Sequence, residues 1–166
     1  MSKPIYENIS NDQVNTYLMN IVRDMTLSEY KPDYIIGIWR GGSDTAVKLS
    51  HYYGDNAKAT LFTPYSSLTD LLDNIYDDWA KSDFGQGSPN ILIVDEICDS
   101  GTTLHTIREE IADYIASCYT KKIKFAALLH NINNHAEVEF YGREISRAQD
   151  PDIWYVFPWE NWWKNI

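Results

Sequence analysis

Residues 91–103 read Ile91-Leu92-Ile93-Val94-Asp95-Glu96-Ile97-Cys98-Asp99-Ser100-Gly101-Thr102-Thr103. The opening apolar run, rich in β-branched residues, is too short for a helix and shows no alternation, the pattern of a strand buried on both faces. Two carboxylates close it and a polar turn follows. Leu104, Ile107, Ile111 and Ile115 then recur at helical spacing. Strand, tight turn and helix form the unit from which parallel α/β sheets are assembled.

The same alternation extends in both directions. Upstream, Val14, Tyr17, Leu18, Ile21, Val22 and Met25 mark a helix that Ser10 or Asn11 can cap and that Lys31-Pro32 ends. A buried strand is expected at 34–39, broken by Arg40-Gly41-Gly42, with a second helical stripe on Thr45, Ala46, Leu49 and Tyr53. Another strand is expected at 59–62. Downstream, 125–129 reads as a strand, and 138–141 and 153–157 as short β pieces. The expected fold is α/β, a mostly parallel sheet flanked by helices, in a single domain over 1–166. A chain of 166 residues can bury about two thirds of its unfolded surface without staples.

The formal charge of −10 argues against a nucleic acid polymer, since duplex binding gathers affinity by neutralising phosphates with Lys and Arg. It leaves room for a small anion held by backbone amides and one or two cations. No apolar run approaches the roughly 20 residues of a bilayer span, so no membrane partner is expected. The polar start MSKPIYENIS resembles no secretory leader, and Cys98 and Cys118 form no disulfide framework. The chain therefore reads as a soluble cytoplasmic protein with reduced thiols.

In open α/β sheets, ligands collect beyond the carboxyl ends of the strands. There, Ser100-Gly101-Thr102-Thr103 offers amides and hydroxyls at the start of a helix, suited to a phosphate. The adjacent Asp95 and Glu96 suit vicinal ribose hydroxyls or a divalent cation held through oxygen. Carboxylates and a phosphate cradle in one turn describe a sugar-phosphate site. The Gly-Lys-Ser/Thr ending of a nucleoside-triphosphate loop is absent.

The string ILIVDEICDSGTTL resembles the 5-phosphoribosyl-1-pyrophosphate (PRPP) signature of the type I phosphoribosyltransferases. The resemblance implies that Asp95 and Glu96 bind the ribose hydroxyls and that Ser100, Gly101, Thr102 and Thr103 wrap the 5-phosphate. It places Asp99 beside the imidazole nitrogens of the base as the candidate proton acceptor. Gly37-Ile38-Trp39-Arg40-Gly41-Gly42 is similar to the family's pyrophosphate loop, with Arg40 and the amides of Gly41 and Gly42 as contacts. A non-proline cis peptide often precedes the basic residue there, which places one at Trp39-Arg40.

Asp152-Ile153-Trp154-Tyr155-Val156-Phe157-Pro158-Trp159-Glu160 resembles the base-binding segment of bacterial and archaeal xanthine-guanine and hypoxanthine phosphoribosyltransferases. It makes Trp154 the residue that stacks on the base and Tyr155 a backbone contact. Glu160, with Glu96, becomes a candidate magnesium ligand. Trp159, Trp162 and Trp163 read as packing residues of the C-terminal core or a dimer face. The resemblance implies a Mg2+-assisted purine phosphoribosyltransferase that takes PRPP and a free purine, and a homo-oligomer, with a small C-terminal hood beside the sheet.

Relatives acting on 6-oxopurines carry a lysine at the end of the strand after the signature helix. Here no lysine falls between Lys124 and Lys164, and His130 or Asn131 is the donor in reach. That departure keeps two alternatives open, a PRPP-binding regulator without turnover and a pyrimidine phosphoribosyltransferase. The acidic stretch 64–90, with Asp70, Asp73, Asp77, Asp78 and Asp83, matches the family's mobile hood in position. It reads equally as an amphipathic helix on Leu68, Leu71, Leu72 and Ile75, and no catalytic residue is assigned to it.

Overall fold

A computed structural model describes residues 4–83, 86–116 and 122–165. Cys118 lies outside the described residues, while Cys98 is a buried free thiol. The strands are β1 (Ile5–Asn8), β2 (Tyr34–Ile38), β3 (Lys58–Phe62), β4 (Ile91–Cys98), β5 (Ile123–Asn131), β6 (Phe140–Ile145) and β7 (Ile153–Val156). The helices are α1 (Asn11–Leu27), α2 (Gly42–Tyr53), α3 (Leu68–Lys81), α4 (Thr102–Glu110) and the short α5 (Ala112–Ala116). Five strands pair in the order β3-β2-β4-β5-β6, parallel throughout.

Sheet alternation divides the core. Ile35, Leu92 and Val94 face a layer built by α1, α2 and the C-terminal residues Tyr155 and Phe157. Ile36, Ile91 and Ile93 face the opposite layer, built by α3 and α4. Burying each such side chain contributes about 1.5–3 kcal/mol. Because both faces are covered, β4 shows no polar alternation until its end, which is why it reads so clearly in the sequence.

α1 begins at a capping box: Ser10 Oγ accepts from the Gln13 amide at 3.1 Å, and Gln13 Oε1 accepts from the Ser10 amide at 2.8 Å. It stops at Leu27, short of the expected Lys31-Pro32. Glu29 turns left-handed (φ 54°), and the Glu29 and Tyr30 amides close back on Thr26 and Met25. That closure satisfies the terminal carbonyls before proline can act. The expected strand at 138–141 starts later, with β6 pairing from Phe140, because Glu139 turns its carboxylate to the Phe125 amide.

The two chain ends meet. β1 pairs in parallel with β7 in a separate two-stranded sheet, Tyr6 opposite Trp154 and Glu7 opposite Tyr155. The small hood thus takes a strand from the N-terminus as well as the C-terminus. The stretch 64–90 contains α3, the crossover between β3 and β4, with Leu68, Leu72 and Ile75 buried. Two of its aspartates have side-chain partners, Asp78 with Lys58 Nζ at 2.6 Å and the Tyr34 hydroxyl, and Asp73 with the Tyr114 hydroxyl, while Asp70 sits in the first helical turn.

Candidate active site

From β2 the chain moves one way across the sheet, to β3; from β4 it moves the other way, to β5 and β6. The crevice at this switch lies between the carboxyl ends of β2 and β4. Both motifs singled out in the sequence arrive there. The Trp39–Arg40 peptide is cis, as the resemblance implies. Arg40 is exposed, and Gly41 is buried against the opposing turn. A Cβ on Gly41 would fall 1.4 Å from Glu96 Oε2, so only glycine lets the Glu96 carboxylate lie across this loop.

Asp95 and Glu96 end the buried part of β4. Burial pushes the Asp95 carboxyl up to about 7, with the Glu96 amide acting against the shift and the Glu96 charge adding to it. The Glu96 amide donates to Asp95 Oδ1 at 2.8 Å. Burial also raises Glu96, opposed by a hydrogen bond from Trp159 Nε1 (3.1 Å) and the charge of Arg40, and reinforced by Glu160 and Asp44. Acceptors withdrawn from water without enough donors are disposed to take hydroxyl protons or a cation.

Glu160 lies near enough to Glu96 to raise it, and its Oε1 accepts from the Phe157 amide at 2.8 Å. Each carboxylate keeps a second oxygen. Among the described residues no cluster of three or more ligating side chains forms. This donor set fits magnesium, which keeps several waters and takes one or two carboxylates together with substrate phosphates, and does not fit an all-protein cation cage.

The turn continues into a phosphate-sized recess of about 110 Å³ lined by Cys98 through Gly101, Thr103 and Leu104. Gly101 caps α4 in the left-handed conformation (φ 80°). Ser100 Oγ accepts from the Thr102 amide (3.3 Å) and donates to Thr102 Oγ1 (3.0 Å). Ser100, Gly101 and Thr103 thus line the recess at the start of α4, with the positive end of the helix dipole behind them.

The back of the turn is braced by side chains from the end of β5 and the segment after it. Asn131 Nδ2 donates to the Asp99 carbonyl at 3.0 Å, and Asn134 Nδ2 donates to the carbonyls of Cys98 (3.0 Å) and Asp99 (2.9 Å). Asn131 Oδ1 accepts from the amides of Asn133 and Arg147. Asn131 is therefore engaged by the scaffold through both ends of its amide. The Asp99 carboxylate is bound by both sides of the Arg147 fork, Nε to Oδ1 at 2.8 Å and Nη2 to Oδ2 at 2.6 Å.

The base-segment candidates divide. Trp154 is 59% exposed, its indole open on β7. Tyr155 is buried, its ring 5.2 Å from the Arg147 guanidinium. His130, at the end of β5, packs on Tyr141 at 5.2 Å, with its Nδ1 buried and without a partner. Burial lowers its pKa and so favours the neutral ring. Among the described residues His130 makes no hydrogen bond to the Asp99–Arg147 pair. Trp162 and Trp163 are exposed and meet edge to face, outside the core. Trp159 stacks on Phe157 at 5.0 Å and orients Glu96, a role that the packing expectation missed.

Arg147 and Asn134 also escaped the sequence reading. Nothing local marks Arg147, which sits in a polar stretch after β6. Nor does anything local mark Asn134, which follows Asn131 and Asn133 in a polar run of the kind that forms turns.

The model of the phosphoribosyl transferase domain matches residues 5–164. No curated protein matches the chain. Among solved structures, a purine phosphoribosyltransferase from Pyrococcus horikoshii is 26% identical, covers 94% of each chain and superposes with a TM-score of 0.64. The xanthine-guanine-hypoxanthine phosphoribosyltransferase of Helicobacter pylori is 18% identical, with 98% and 97% of the two chains covered and a TM-score of 0.65. A hypoxanthine-guanine phosphoribosyltransferase from Bacillus anthracis is 19% identical, with 87% and 84% covered and a TM-score of 0.57. The likeness to the last two bears on the fold. Among the described residues no helix is long and apolar enough to cross a membrane.

Proposed function

Since the chain belongs to the phosphoribosyl transferase domain family, we propose that this phosphoribosyltransferase moves the phosphoribosyl group of PRPP onto a free purine, a 6-oxopurine such as hypoxanthine, guanine or xanthine. The bond from ribose C1 to the pyrophosphate oxygen breaks and a bond to a ring nitrogen of the base forms. The products are a nucleoside monophosphate and pyrophosphate, and the base gives up one proton.

Each step has a residue. The recess at Ser100, Gly101, Thr102 and Thr103 holds the 5-phosphate, and Asp95 and Glu96 accept from the ribose hydroxyls. Arg40 and the loop at Gly41 meet the pyrophosphate. Asp99 takes the imidazole proton as the base nitrogen attacks C1. Trp154 stacks on the base, and the Tyr155 backbone borders it. Magnesium bound to PRPP beside Glu96 and Glu160 would supply charge neutralisation for the departing pyrophosphate. The protein's own contribution is position and fixed electrostatics around a C1 that becomes cationic.

One observation carries the purine reading. Arg147 hydrogen-bonds Asp99 of the PRPP turn and the Ile153 carbonyl of the segment that carries Trp154, which ties the two half-sites together and supports the reading. The test is pyrophosphate release from PRPP with magnesium and, separately, hypoxanthine, guanine, xanthine, adenine, uracil and orotate. Turnover with a purine and none with a pyrimidine is expected. Release with a pyrimidine alone, or with none of the six, overturns the proposal.

Replacing Trp154 with Ala removes the stacking platform. Base–aromatic stacking contributes about 1–3 kcal/mol per base, so the KM for the purine should rise about tenfold or more. Trp154 touches neither the recess nor the paired acids, so PRPP affinity should hold. An unchanged purine KM would remove Trp154 from the site.

A further inference from the structure

We infer that Arg147 sets the base preference of this enzyme by presenting a hydrogen-bond donor beside the Asp99 acceptor, a pattern that selects purines with an oxo group at position 6 over those with an amino group. The inference rests on the purine reading and names the residue that makes the choice.

Arg147 is held from four directions. Its amide donates to Asn131 Oδ1 (3.3 Å), and its Nε and Nη2 bind the two oxygens of Asp99. Its Nη1 donates to the Ile153 carbonyl, and its guanidinium lies 5.2 Å from the Tyr155 ring centre. Asn131 also holds the Asp99 carbonyl (3.0 Å), so main chain and side chain of both residues close a ring. A flexible surface arginine would not be fixed in this way. The hydrogen bond to Asp99 is also the leading cause that raises the Arg147 pKa, in keeping with a permanently charged fork.

The fork has donors left over. A guanidinium carries five N–H groups, and three of Arg147's are taken, leaving one on each terminal nitrogen without a partner among the described residues. Its side chain keeps 24% of its surface open to solvent. A carboxylate has about four lone-pair sites, so Asp99 can bind Arg147 and still accept another proton. The pair therefore offers an acceptor next to a donor.

The imidazole edge of a 6-oxopurine protonated at N7 shows a donor, N7–H, beside an acceptor, O6, and is complementary to that pair. Adenine protonated at the same nitrogen shows two donors. Its amino group would face N–H groups that cannot accept, which leaves polar atoms unpaired. Sites built around a specific hydrogen bond reject analogues that fail to make it far more strongly than apolar pockets do.

The test compares the native enzyme with Arg147→Gln and Arg147→Lys in pyrophosphate release from PRPP with hypoxanthine or adenine, with PRPP affinity measured by calorimetry. The native enzyme should favour hypoxanthine. In Arg147→Gln the hypoxanthine-to-adenine ratio of kcat/KM should fall at least about tenfold, with PRPP affinity changed by less than about threefold. Arg147→Lys keeps a charged donor and should retain more of the ratio than Arg147→Gln. Two results overturn the inference: a ratio unchanged in Arg147→Gln, or equal losses on both bases in the two variants, which marks Arg147 as structural only. A native enzyme that turns over no purine at all defeats the purine reading instead, and the outcomes are thereby distinguishable.

Discussion

Asp99→Asn should lower kcat with a 6-oxopurine by about a hundredfold or more while changing the affinity for PRPP only a few-fold. General acid–base catalysis is typically worth 10²–10⁴-fold, and an amide cannot take up the proton that the imidazole sheds. The turn itself should survive the change. Its main chain is held at the carbonyls of Cys98 and Asp99 by Asn131 and Asn134, and its cap at Gly101 does not involve the Asp99 side chain. The Arg147 fork would lose one oxygen partner, which affects the base side of the pocket before the phosphate recess. Single-turnover kinetics with PRPP held at saturation separate the two readings. Equal losses in turnover and PRPP binding would mean that Asp99 only positions the ribose-phosphate.

What could be read from sequence, and what could not, follows from how the chemistry is distributed along the chain. The PRPP turn was legible because strand, carboxylates, glycine cap and hydroxyls fall in thirteen contiguous residues, 91–103, and each is a local requirement. The glycine loop at 40–42 was legible for the same reason, although the cause of its glycine lies across the crevice in Glu96. Arg147 was not legible. Its contacts are to Asp99, 48 positions earlier, and to Ile153, and no spacing rule links them. Trp159 packs on Phe157 as an indole in an aromatic tail is expected to, and its Nε1 contact to Glu96 is a second role that no local pattern marks. β1 is not legible because its side chains are largely exposed and the strand it pairs with, β7, lies far along the chain. In the acidic stretch the amphipathic helix is legible, but the partners of Asp73 and Asp78, which are Tyr114, Tyr34 and Lys58, come from other elements packed around α3.

Asp95 exposes the conflict between stability and function in this fold, and its replacement should move the two in opposite directions. The carboxyl titrates at about 7 in the folded chain, against an ordinary value of 3.8, because burial disfavours the charge. The sign follows from proton counting. Between those two values the folded state holds more protons than the unfolded one, so the contribution of Asp95 is most favourable below about 4 and is lost as pH rises to about 7. At pH 8 the ionised group costs the ligand-free protein up to about 4 kcal/mol. Asp95→Asn keeps the shape and the acceptor for the Glu96 amide without the charge. The variant should therefore melt at a higher temperature than the native protein at pH 8, with the difference shrinking toward pH 4. Binding should go the other way. A hydrogen bond to a charged acceptor contributes about 1.5–3 kcal/mol, so PRPP affinity in the variant should fall by about ten- to a hundredfold at pH 8. In the native protein, PRPP affinity should also weaken as pH drops below about 7, because the ribose hydroxyls then meet a neutral carboxyl. PRPP has titrating phosphates of its own, but they are common to both proteins, so the difference between the two pH profiles isolates Asp95. Calorimetry and thermal melts across pH 5–8 would decide it. A variant that is no more stable at pH 8, or that binds PRPP as tightly as the native protein, would show that Asp95 is a scaffold residue whose charge the ribose does not use.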